Sequence, residues 1–182
     1  MPSRALLGFN AVLSVLLAGK VFLTREQGLA LAFGAEARVT ASTRWLTEEQ
    51  ARRAAELAGG AAVPTIVQVH AATDAAGKPL GTAYFDTRIV RNHAQTLMVV
   101  VGPDGATSRV EVLSFDEPLE FLPKAKWFAE LSGRKLDAEL QLKRGVHGVT
   151  GATLSARATV GALREVLAVH TVLLPVTPPP QP

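Results

Sequence analysis

The chain contains no cysteine. That excludes disulfides, thiolate nucleophiles, iron–sulfur clusters, Cys-bound zinc, covalent c-type haem and a bacterial lipoprotein anchor, all of which need a thiol. Charge of either sign is also sparse: 19 Lys+Arg against 16 Asp+Glu leave a net charge of +3. There is no basic tract and no interleaving of basic with aromatic residues, so the footprint of a nucleic-acid binder is missing. The four histidines, at 70, 93, 147 and 170, form no HExxH and no close pair, and no zinc site is expected. No GxSxG is present, and Ser114, His147 and Asp116 lack the spacing of a hydrolase triad.

What is present suits a folded domain. Of 182 residues, 48% are hydrophobic and 19% charged, enough apolar material for one core and too little charge for disorder. Arg4 precedes an apolar run over 5–19, closed by Lys20. The run is short for a membrane span and has the form of a signal-peptide core, with the small pair Ala18-Gly19 at its end. It reads as a signal peptide or an uncleaved N-terminal anchor, against the plainer alternative of a buried first helix. Export is the expectation, which places the protein in the periplasm or another extracytoplasmic space, with the membrane touched only through that segment.

Local signals divide the rest. Thr24 with Gln27, and Thr47 with Gln50, have capping-box spacing and predict helices, the second running through Leu57 and ended by Gly59-Gly60. The stretch ARVTASTRWL between them predicts a strand. Residues 20–63 are thus expected as an N-terminal helix and strand extension. Residues 64–73 and 79–90 flank a polar turn and predict a hairpin; 96–101 and 108–115, around GPDG, predict a second. TLMVVV is apolar throughout, as a strand buried on both faces would be. A helix is predicted over 122–133, a loop over 135–149, and a long helix over 154–174 with Leu163, Val166, Leu167, His170 and Leu174 on one face. Pro-rich PVTPPPQP predicts a disordered tail over 175–182. The fold class is α+β: an antiparallel or mixed sheet of two hairpins with packed helices, its main domain spanning 64–174.

The densest chemistry is HGVTGATLSA, residues 147–156. It matches neither the dinucleotide fingerprint nor the P-loop. It does open a long helix with small residues and hydroxyls: Gly151 and Ala152 admit a ligand to the backbone, and Thr150, Thr153 and Ser155 surround the turn. A helix N-terminus with free N–H groups suits a phosphate, and the same residues also suit a plain capped start with Thr150 as the cap. His170 reads as a core histidine. Asp116, Glu117 and Glu120 read as a solvated acidic loop, with ligand contact as the alternative.

At TGATLSA the chain resembles the FMN-binding domain family, which includes the flavin subunits of sodium-pumping NADH:quinone reductase and of the Rnf electron-transport complex. That family's signature is Asp, two spacers, Ser or Thr, then Gly-Ala-Thr or Gly-Ala-Ser at a helix start. Thr150, Gly151, Ala152 and Thr153 match its second half, and His147 stands where the family has Asp. The strand GTAYFDT, the hairpin TLMVVVGPDGATSRVEVLSFDEP and the segment WFAELSGRKL extend the likeness over roughly residues 64 to 172.

The resemblance implies an exported electron-carrying flavoprotein rather than an enzyme with its own substrate. A flavin transferase would join the phosphate of FMN to Thr153 as a phosphoester, with non-covalently bound FMN as the second alternative. Thr150, Gly151, Ala152 and Ser155 would surround that phosphate, Gly148 would leave room for the ribityl chain, and His147 would lie beside them. Leu113, Ser114, Glu117 and Pro118 would flank the flavin ring. Trp127 is either core or a stacking partner. Redox partners would be a haem protein or a quinone-linked subunit. The substitution of His147 favours the alternative, a flavin-free extracytoplasmic sensor or interaction domain of the same fold.

Overall fold

Thr24 and Thr47 each accept a hydrogen bond from the amide three residues on, at 3.2 Å, while Gln27 and Gln50 reach back to the threonine amides at 2.8 and 3.0 Å. Both expected capping boxes therefore close, and they start α1 (Arg25–Phe33) and α2 (Glu48–Leu57). After α2, Gly59 and Gly60 take φ of 90° and 89°, a left-handed exit that favours glycine. These elements belong to a computed structural model that describes residues 20–174; the export-segment and tail readings, over 1–19 and 175–182, lie outside the described residues.

Six strands follow the sequence pattern: β1 (Lys20–Val21), β2 (Arg38–Trp45), β3 (Ile66–Thr73), β4 (Pro79–Ile89), β5 (Ala94–Val101) and β6 (Thr107–Phe115). They form one sheet in the order β1-β6-β5-β4-β3-β2, every pair antiparallel. The fold is α+β, with four α-helices among the described residues and α2 packed on the last of them. Both predicted hairpins are present. At the tip of the first, the Asp74 carboxylate accepts from the amides of Ala76 and Lys78 at 2.9 and 2.8 Å. A third hairpin, β4–β5, joins them into a meander. Residues 20–63 are part of the same sheet: β2 continues the meander at one edge, and β1 closes the other by pairing with the end of β6.

β5 is central, with Leu97, Met98, Val99, Val100 and Val101 each no more than 1% exposed, as its unbroken apolar run requires. One face packs Val99 and Val101 with Val69, Tyr84, Leu163 and Leu167 under α4 (Thr153–Leu173). The other packs Met98 and Val100 with Leu113 under Leu29 and Phe33 of α1. A third cluster joins α2 to α4 through Ala54, Ala58, Ala168 and Val169. Burial of Leu163 and of Leu167 contributes roughly 2 kcal/mol each. His170 is the expected core histidine, with Nδ1 2.9 Å from the Tyr84 hydroxyl.

The helix predicted over 122–133 is shorter. Only α3 (Ala125–Ala129) is α-helical, preceded by a 3-10 turn (Leu119–Phe121). Beyond α3 the amides of Glu130, Leu131 and Ser132 bond three residues back rather than four. Gly133 then turns its amide to Thr107 O at 2.7 Å, anchoring the chain to β6 in place of another helical turn.

Candidate functional site

α4 starts one residue earlier than the apolar pattern suggests, at Thr153, because the turn before it is tight. Gly151 has φ of 81° and the Ala152 amide bonds Val149 O at 3.3 Å. The expected cap from Thr150 is not formed. The N-cap position falls on Ala152, which has no side-chain oxygen, and no side chain caps the helix. The first bond of the turn is Ala156 N–H to Ala152 O at 3.0 Å. The amides of Thr153, Leu154 and Ser155 have no protein acceptor among the described residues, at the positive end of a 21-residue helix. Thr153 is exposed there, and its hydroxyl donates to Val149 O at 3.0 Å, leaving the lone pairs of Oγ1 open.

A groove of about 880 Å³ opens beside this turn. Its walls are Ala58 and Gly59 behind α2, Gln141, Leu142 and Lys143, the turn residues Gly148, Val149, Thr150 and Gly151, and one face of α4: Thr153, Arg157, Val160, Gly161 and Arg164. Three cations line it and no carboxylate does. Arg164 is held by carbonyls alone: Asp137 O at 2.8 Å, Leu140 O at 3.1 Å, Leu57 O at 3.3 Å and Ala58 O at 3.4 Å. Lys143 and Arg157 make no ion pair among the described residues. Lys143 is also the one described non-glycine residue at positive φ, 65°, fixed by its amide bond to Val146 O at 2.8 Å. Donor amides, three cations with no carboxylate beside them, and aliphatic walls make an anion-accepting cleft.

The structure brings some expected site residues together and separates others. Gly148, Thr150, Gly151 and Thr153 share the groove. Ala152 is buried. Ser155 is 1% exposed and lies on the far side of α4, where its hydroxyl has no partner; Thr159, one turn on, accepts from Gln95 Nε2 at 3.0 Å, and Gln95 Oε1 is also unpartnered. His147 does not line the groove. Its ring is exposed, with Nδ1 2.8 Å from the Glu130 carboxylate, and its carbonyl accepts the Trp127 indole N–H at 2.8 Å. Trp127 is a core residue that holds this loop.

The remaining four stand apart from the groove. Leu113 is buried in the cluster under α1, and Ser114 lies in β6 opposite Val21. Glu117 is not a solvated acid: it is 6% exposed and accepts from the amides of Arg91, Asn92 and His93 at 2.9–3.1 Å. Those bonds, Asn92 foremost, hold its carboxyl below the usual carboxylate range although burial opposes them. Pro118 leads into the 3-10 turn, which packs on α4. Sequence reasoning missed Lys143, Arg157 and Arg164. The helical spacing of Thr153, Arg157, Gly161 and Arg164 was the available signal for the α4 pair; nothing local marked Lys143.

Among the described residues no group of three or more His, Asp or Glu side chains is placed to hold a metal, and no helix is long and apolar enough to cross a membrane. No family model, curated protein or solved structure matches the chain.

Proposed function

We propose that the protein is an exported flavoprotein that carries electrons through FMN, its phosphate joined to Thr153 Oγ1 as a phosphoester, on a fold of the FMN-binding-domain type. The observation that carries this reading is the position of one hydroxyl: Thr153 stands at the mouth of an uncapped 21-residue helix, over a groove lined by cations and free of carboxylates. The TGAT motif supplies the acceptor at that same residue.

The groove residues fit a flavin phosphate. The amides of Thr153, Leu154 and Ser155 offer donors to it at the positive end of α4. At Gly151 an added Cβ would meet no atom within 4 Å, so approach to the backbone is open. Leu142, Val149 and Val160 give apolar walls for an isoalloxazine. Leu113, Ser114, Glu117 and Pro118, which the resemblance puts beside the ring, stand outside this groove and receive no contact in this reading. The flavin, when bound, supplies the redox chemistry; the protein supplies position and electrostatics. Attachment exchanges the Oγ1–H bond of Thr153 for an Oγ1–P bond, and the hydrogen bond to Val149 O ends. The transferase would take the FMN phosphoryl from a flavin dinucleotide, breaking its pyrophosphate bond and releasing a nucleoside monophosphate and the hydroxyl proton. Maturation calls for a flavin transferase, and electron flow for redox protein partners.

The test is co-expression with a flavin transferase, followed by denaturing electrophoresis under ultraviolet light. Flavin fluorescence is expected in the wild-type and Thr150→Ala bands and not in Thr153→Ala. A dark wild-type band would sink the proposal. The alternative, a flavin-free extracytoplasmic sensor or interaction domain, is favoured by one observation: His147, at the family's Asp position, is turned to Glu130 and away from the groove. It predicts the dark band.

A further inference from the structure

The charge of the groove is larger than a phosphoester needs. A phosphate diester carries one negative charge, and the donor amides of the first helical turn already face it. Arg157 lies one turn beyond Thr153 on the same face of α4, and Arg164 three turns beyond, at ~6 and ~16 Å along the axis from the helical rise. Gly161, between them on α4, and Lys143 line the same groove. Arg164 cannot swing away, because four carbonyls hold its guanidinium, and none of its partners is a carboxylate. A ligand anchored at Thr153 and lying along the groove therefore meets positive charge along its length, held in place at Arg164.

We infer that Lys143, Arg157 and Arg164 form a cationic bed that stabilises negative charge on the reduced flavin ring and so raises its reduction potential. This rests on the reading that places FMN on Thr153. Two electrons and one proton added to the oxidised ring leave it with one negative charge; the electrons come from a reducing protein partner and the proton from water. The anionic product is favoured over the neutral oxidised ring by nearby cations, most strongly in a groove partly shielded from solvent.

The test uses the full chain, flavinylated by co-expression, with potentials measured by dithionite titration against a reference dye. Lys143→Gln and Arg157→Gln remove exposed side chains with no ion pair among the described residues, so both variants should fold; Arg164 ties α4 to α2 and is left intact. Each substitution is expected to shift the oxidised-to-reduced equilibrium about tenfold toward oxidised flavin, ~30 mV for a two-electron couple. The double variant shifts further, Lys143→Arg keeps the wild-type value, and high salt shrinks the differences. Equal potentials in the wild type and the flavinylated double variant would overturn the inference while leaving the attachment at Thr153 standing. A wild type that takes no flavin at Thr153 would overturn both.

Discussion

Gly151 is the residue at which the geometry of the site and the stability of the fold separate most cleanly. Its φ of 81° is in the left-handed region, and a Cβ there would touch nothing within 4 Å. Replacement by alanine therefore introduces no clash, and its whole cost is conformational. An L-residue held in that region loses ~1–2 kcal/mol, and the stiffer unfolded chain returns ~0.4–1 kcal/mol. The Ala variant should be less stable by about 0.5–1 kcal/mol, a fall of ~1–4 °C in Tm for a chain of this size. Asparagine tolerates positive φ, so Gly151→Asn should recover most of that loss. It also puts a larger side chain at the groove mouth and should slow flavin attachment. Urea and thermal unfolding of the unmodified protein give the first pair of values, and the rate of fluorescent labelling by the transferase gives the second. An Ala variant as stable as wild type would refute the turn geometry, and an Asn variant labelled at the wild-type rate would refute backbone approach at Gly151.

Burial holds His170 neutral, with its pKa below the ordinary 6.5. The folded state therefore binds fewer protons than the unfolded chain once pH drops below that ordinary value, and stability should decline as pH falls from there through the folded pKa. His170→Gln should flatten part of that decline, His70, also shifted down by burial, keeping the rest; an unchanged slope in urea titrations between these pH limits would contradict it. Glu117→Gln should speed hydrogen exchange at the amides of Arg91, Asn92 and His93, because it weakens the acceptor that all three share. Arg88 binds Asp86 at 2.6 Å and Glu165 at 3.0 Å, joining β4 to α4. Arg88→Met should cost roughly 2 kcal/mol in urea unfolding, since it leaves two partly buried carboxylates facing each other.

Features governed by neighbouring residues were legible in the sequence. The Thr-x-x-Gln boxes set α1 and α2 to within a residue, and the five-residue apolar run of β5 announced a central strand. What was hidden depended on distant partners. Nothing near Lys20 shows that it pairs with Phe115 at a sheet edge. Nothing around Ala129 shows that Gly133 will bond Thr107 and shorten α3. The site divided in the same way. Gly148, Thr150, Gly151 and Thr153 are contiguous in the chain and share the groove, whereas Leu113 and Glu117 were drawn toward it by resemblance and are placed by packing and backbone donors elsewhere. Glu117 looked like a solvated acid because its three donors, 24 to 26 residues away, belong to the β4–β5 turn.

The central claim is a covalent bond at one oxygen, and intact mass spectrometry with peptide mapping measures it most directly. Protein co-expressed with a flavin transferase should gain the mass of one FMN less one water, on the peptide containing Thr153, and Thr153→Ala should gain nothing. An unmodified wild type, or an adduct that maps to Thr150 or survives in Thr153→Ala, would contradict the account.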